Sequence, residues 1–140
     1  MIRDILFRGK RADNGEWVYG YYATRSNHAC FEGELKYASF ILKDEFMDWG
    51  LGGLAEYKVI PKTVGQFTGM YDKFNNKIFE GDIVKCLSLE YGYVNKEVYY
   101  AEGRGKFVLR KCGTDYEFDE YIDVEVIGNI YNSPKLLEEA

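Results

Sequence analysis

One pattern occurs twice in this chain and limits what it can fold into. Phe7-Arg8-Gly9 precedes Asn14-Gly15, then Trp17-Val18 and Gly20; Phe67-Thr68-Gly69 precedes Asn75-Asn76, then Ile78-Phe79 and Gly81. With one inserted residue the two segments align as aromatic-x-Gly, polar turn, two apolar residues, x, Gly. Asn-Gly between apolar runs signals a hairpin, because a type I′ turn needs positive φ at both central positions. Glycine and asparagine supply such conformations without a Cβ clash. The repeat is therefore read as two β-hairpins, and its glycines and asparagines as backbone devices rather than catalytic ones.

The rest of the chain agrees with that reading. "YASFILK", "YKVIP", "NKEVYYAEG", "KFVLRK" and "IDVEVIGNIY" are short runs rich in Val, Ile, Tyr and Phe, bounded by turn residues. In the strand after Asn14-Gly15, Trp17, Tyr19 and Tyr21 alternate with Val18, Gly20 and Tyr22. "IFEGDIVKC" reads as one strand with Gly81 as a bulge or bend. Ile122, Val124 and Val126 alternate inward against Asp123 and Glu125. Two brief helices are expected. One lies near 43–49, where Leu42, Phe46 and Trp49 have helical spacing; the other near 134–139, behind Ser133 and Pro134. The core is predicted to contain Phe7, Trp17, Phe67, Ile78, Phe79, Ile83, Val84, Val124, Val126 and Ile130. With 140 residues, 46% of them hydrophobic, the chain can bury one such core. The expected fold class is mainly β, a small barrel with hairpin extensions, forming a single domain over 1–140. Within it, 1–24 form an N-terminal strand and hairpin, 25–56 an insertion, 57–131 the barrel core and 132–140 a helical turn.

Charge is segregated although the net is only −5. Arg3, Arg8, Lys10 and Arg11 make the start basic. Asp115, Glu117, Asp119, Glu120, Asp123 and Glu125 make the later part acidic. Such ends can pair within a molecule, between copies or with partners. Cys30, Cys86 and Cys112 form no C-x-x-C pair, no signal-peptide pattern opens the chain, and no apolar run is long enough to span a membrane. A cytoplasmic protein with reduced thiols, and no membrane partner, is expected.

Candidate chemistry is sparse. His28, Cys30, Cys86 and Cys112 could supply a zinc ligand set by count, but lack the paired spacing of a zinc ribbon. No metal or cofactor is expected. His28 is the single histidine, so a thiol enzyme would have to join it to Cys30. Glu80 and Asp82 at i, i+2 would share one face of an extended backbone, as an acid/base pair of a hydrolase requires. The same spacing lets a carboxylate cap backbone amides at a bulge. Gly50 to Ala55 spells G-x-G-x-x-A, yet a strand ending at Pro61 follows it where a dinucleotide site needs a helix. Nucleic acid has two opposite readings. The basic cluster, with Tyr19 and Tyr21 as stacking platforms, could hold a strand. The carboxylates Asp119, Glu120 and Asp123 could instead imitate one and capture a basic host protein.

"ILFRGKRADNGEWVYGY", "VIPKTVGQFTGMYDKFNNKIFEGDIVK" and "VIGNIYNSPKLL" resemble the YopX family, small proteins of phages and prophages. The resemblance covers both ends and the centre; residues 25–56 and 88–104 fall outside it, as variable loops do. It implies a mainly β fold similar to a small SH3-type barrel, with Phe67–Cys86 as the central hairpin. It implies phage or prophage origin, and no catalytic residue. The sequence departs from the family at Asn76, where glycine is expected; asparagine tolerates the left-handed region. The function expected from all this is a non-enzymatic binding or assembly module, with another copy of the chain in a homo-oligomer as one candidate partner and a host or phage protein as the other.

Overall fold

A computed structural model describes residues 3–27, 36–46 and 52–138. The chain forms two compact units, one through Gln66 and one from Phe67. The boundary falls inside a strand, so no linker composition marks it.

The first unit is an antiparallel meander of β1 (Phe7–Lys10), β2 (Trp17–Asn27), β3 (Lys36–Phe46) and β4 (Gly52–Val59). A 3-10 turn at Pro61–Thr63 leads into β5 (Gly65–Tyr71), whose start lies beside β1, with Phe7 opposite Gln66. The meander curls. Arg11 bridges to Val59, and the Ala12 N–H donates to the Lys58 carbonyl at 2.9 Å. Val18, Ile41 and Val59 are buried at its centre, with Phe7, Tyr57 and Val64 against them. Gly20 is required by close approach rather than by its φ: a Cβ there would stand 2.1 Å from the Leu42 carbonyl oxygen.

The second unit holds the rest of β5, β6 (Lys77–Phe79) and a five-stranded antiparallel sheet in the order β10-β9-β8-β7-β11. These strands are β7 (Asp82–Ser88), β8 (Gly92–Ala101), β9 (Lys106–Lys111), β10 (Thr114–Tyr116) and β11 (Ile122–Asn129). Ile78, Val84, Cys86, Val98 and Leu109 form the buried core. Tyr116 from one edge strand and Val124 and Val126 from the other pack on it. The sheet therefore curls around its core, but no ladder joins β10 to β11. A 3-10 turn at Phe118–Glu120 takes the place of further strand.

The mainly β architecture is as expected from the sequence; several local features differ. Residues 43–46 are strand, because pairing with β4 outweighs the helical spacing of Leu42 and Phe46; Trp49 lies outside the described residues. Residues 134–137 form a 3-10 turn. Gly81 sits in a turn that splits "IFEGDIVKC" into β6 and β7. The first hairpin is not a type I′ turn. Gly15 alone takes positive φ, 74°, while the Asn14 side chain accepts the Glu16 N–H at 2.9 Å. In the second hairpin Asn75, not Asn76, occupies the left-handed region, at φ 69°. The two hairpins also differ in register, Phe7 facing Gly20 and Phe67 facing Phe79.

The predicted core is half right at the deepest level. Phe67, Ile78, Phe79, Ile83 and Val84 are buried. Phe7, Trp17, Val124, Val126 and Ile130 are only partly so. Ile122 is exposed, because β11 carries a bulge between Ile122 and Glu125 with Asp123 at φ 52°. The extra residue breaks the period of two on which the inward assignment rested.

Candidate binding groove of the C-terminal unit

The residues singled out in the sequence scatter. Arg8 is only 6% exposed, and its guanidinium stacks 4.8 Å from the Trp17 ring centroid. Arg11 donates to both carboxylate oxygens of Asp13, at 3.0 and 2.7 Å, and lies over the Tyr57 ring. Lys10 is half-buried and Arg3 exposed. The basic start is thus largely built into the first unit and not presented as an open cationic arm. Tyr19 and Tyr21 are exposed on the solvent side of β2.

Asp82 is 2% exposed and accepts the Phe79 N–H at 2.8 Å. It caps the turn between β6 and β7, which is the structural role that its spacing from Glu80 allowed. His28 and Cys30 lie outside the described residues, as do Gly50 and Leu51; Gly52 to Ala55 are strand. Cys86 is buried, and burial pushes its thiol up to about 11. Cys112 is exposed. Among the described residues no three His, Cys, Asp or Glu side chains come together as a metal site. No described helix is long and apolar enough to cross a membrane.

The acidic segment divides in two. Asp115 accepts from Arg110 at 2.9 Å, and Glu117 from Lys106 at 2.6 Å and from Arg104. Those bonds hold the Glu117 carboxyl below its ordinary range. Asp119, Glu120 and Asp123 are exposed; Asp123 accepts the Tyr93 hydroxyl at 3.3 Å.

Asp119 and Glu120 border a groove of about 600 Å³. One wall is the tip of the β7–β8 hairpin, where Leu89 and Tyr91 are 89% and 80% exposed. The other is Tyr116, the 3-10 turn and Tyr121. Glu90, Asp119 and Glu120 line the groove and are exposed, so carboxylates form its rim. Lys96 lines it while buried, so an ammonium forms its floor.

The position of Lys96 follows from the strand. Val94, Lys96 and Val98 alternate along β8. Register places Lys96 opposite Val84, and Val94 opposite Cys86. Lys96 therefore stands on the side of the sheet that faces the core. Its Nζ is 3.6 Å from the centroid of Tyr116 and 5.3 Å from that of Tyr121. Burial is the largest influence on it and leaves its proton affinity below the ordinary lysine value, although Cys86 and Glu120 pull the other way. Burial also pushes the Tyr121 phenol up to about 12. Sequence reading missed this groove. The signal available was a lysine on the Val94 and Val98 parity of an apolar strand.

The sequence model of the YopX protein family matches residues 6–138. The crystal structure of protein EF1440 from Enterococcus faecalis superposes with a TM-score of 0.59, at 22% identity over 97% of this chain and 99% of that one. At that identity the likeness speaks for the fold. None of the curated proteins is similar to the sequence. The family match spans both units and nearly the whole length, and the chain belongs to the YopX family.

Proposed function

We propose that this chain is a non-enzymatic binding module of a phage or prophage, and that it takes its partner in the groove of the C-terminal unit. The observation carrying this is the groove lip. Leu89 and Tyr91 stand in solvent beside a concave wall of tyrosines, and exposed apolar surface next to a concavity is what binding sites present. The hydrolase alternative loses support because Asp82 is occupied as a buried cap. Phage origin rests on the family. We read the curled five-stranded sheet as an SH3-type barrel left open between β10 and β11, a shape whose mouth suits a ligand.

The test compares three forms of the chain immobilised and exposed to bacterial lysate: the native sequence, a Leu89→Glu/Tyr91→Ala lip variant, and Tyr37→Ala as a control exposed elsewhere. A protein retained by the native form and the control but lost from the lip variant is expected. Equal retention by the lip variant overturns the assignment. Light scattering over a wide concentration range tests the second candidate partner, another copy; a constant monomer mass removes self-assembly.

A further inference from the structure

The groove sets an ammonium beneath a ring of carboxylates. Lys96 is 4% exposed overall, its Nζ is not one of the fully enclosed polar atoms without a partner among the described residues, and an ammonium with so little water around it favours an anion at the opening. The Cys86 thiol that acts on it and the Tyr121 phenol 5.3 Å away stay neutral, held up to about 11 and about 12 by burial. Its contacts are the rings of Tyr116 and Tyr121. Ring faces attract a cation, but they do not satisfy three N–H donors. No carboxylate of the described residues forms an ion pair with Lys96; Glu120 acts on it from the exposed rim. The rim has its own imbalance, since Glu90, Asp119 and Glu120 line the groove with no described cation paired to them.

The geometry points to a carboxylate-binding site: Lys96 receives the carboxylate of an extended ligand, whose cationic group meets Glu90, Asp119 and Glu120 and whose body lies across Tyr91, Tyr116 and Tyr121. This rests on reading the groove as the binding surface. A simple anion would be repelled by the rim before reaching the floor. A purely cationic ligand would leave Lys96 unsatisfied. A ligand carrying both charges, separated by an apolar body, answers both. The carboxylate can come from a peptide C-terminus or from an acidic side chain; propionate, which has no cationic group, measures the repulsion by the rim.

The experiment follows the Lys96 side chain by NMR in the intact chain. Four probes are titrated: random hexapeptides lacking Asp and Glu with a free C-terminus, the same pool amidated, an amidated pool containing Asp and Glu, and propionate. At least one carboxylate-bearing peptide pool is expected to shift the Lys96 signal at a concentration tenfold or more below that needed by the amidated pool without acids and by propionate. The probe that does so names the source. Lys96→Met should remove the discrimination and Lys96→Arg retain part of it. Glu90→Gln/Glu120→Gln should weaken peptides carrying Lys or Arg while strengthening propionate. The native-sequence comparison of free and amidated pools stands even if a Lys96 variant does not fold. Binding of both carboxylate-bearing peptide pools no tighter than that of the amidated pool without acids overturns the carboxylate assignment and leaves the groove as a binding surface. Absence of any shift in groove residues with every probe overturns both.

Discussion

Asp72 does more structural work than its place in a polar turn suggests. It is buried, and its carboxylate accepts the backbone N–H groups of Phe74 at 2.9 Å, Asn76 at 2.8 Å and Val126 at 3.1 Å. One side chain thereby closes the β5–β6 turn and fastens it to β11. Burial raises its proton affinity, but the bonds from Asn76, Val126 and Phe74 outweigh that and leave the carboxyl below its ordinary 3.8. The folded state therefore favours the ionised form. Its contribution is complete above the ordinary value and is lost as pH falls through the depressed one. Asp72→Ala leaves buried donors unpaired, so a loss of about 3 kcal/mol is expected in denaturant titration at neutral pH. The difference from the native chain should shrink in acid below the ordinary carboxylate value. A difference independent of pH would mean that the charge is not what the amides hold. Ile83 and Ile122 make a second residue-scale comparison. Ile83 is fully buried and Ile122 exposed, so Ile83→Ala should cost about 2–5 kcal/mol and Ile122→Ala less than about 0.5 kcal/mol. Similar losses at both would show that the bulge does not turn Ile122 outward.

At the scale of elements, β2 and β3 depend on one missing side chain. A Cβ at Gly20 would clash with the Leu42 carbonyl, and backbone cannot yield as a flexible side chain does. Gly20→Ala is expected to cost about 1–3 kcal/mol or more. It should speed amide exchange in β2 and β3 while leaving β7 to β9 protected; uniform loss of protection would contradict a local clash. Gly20 belongs to the repeated pattern, so its structural importance could be read from the sequence, although not its neighbour. The hairpins, the strand at "KFVLRK" and the turn before it could be read too, because turn chemistry and β-branched runs act locally. What could not be read depends on distant partners. Residues 43–46 have helical spacing until β4 pairs with them. The outward turn of Ile122 requires a bulge set by register against β7. The groove was invisible for the same reason: Leu89, Lys96, Tyr116 and Tyr121 come from separate elements. Leu89 and Lys96 lie in the 88–104 stretch, where the family resemblance offered no help.

For the whole molecule, the segregated charges have separate local fates. Arg11 pairs with Asp13 in the first unit, while Asp115 and Glu117 pair with Arg110, Lys106 and Arg104 in the second. Pairs of this kind at the surface contribute little each, but they draw Arg11 away from a charged arm, whereas Asp119, Glu120 and Asp123 stay exposed outside them. Arg8 gives the sharpest test. Were it a phosphate contact, Arg8→Glu would weaken nucleic-acid binding and flatten its salt dependence while leaving stability alone. Placed as it is, against the Trp17 ring and nearly inaccessible, it should act on the fold. Arg8→Glu would put an anion against a ring face that attracts cations. A loss of about 3–5 kcal/mol is expected, as for breaking a buried charged contact, with a matching fall in the thermal midpoint. Arg3→Glu, at an exposed position, should leave that midpoint unchanged. If Arg8→Glu keeps native stability and instead abolishes retention on immobilised single-stranded DNA at low salt, the basic start is a binding arm after all, and the groove is not the chain's main contact surface.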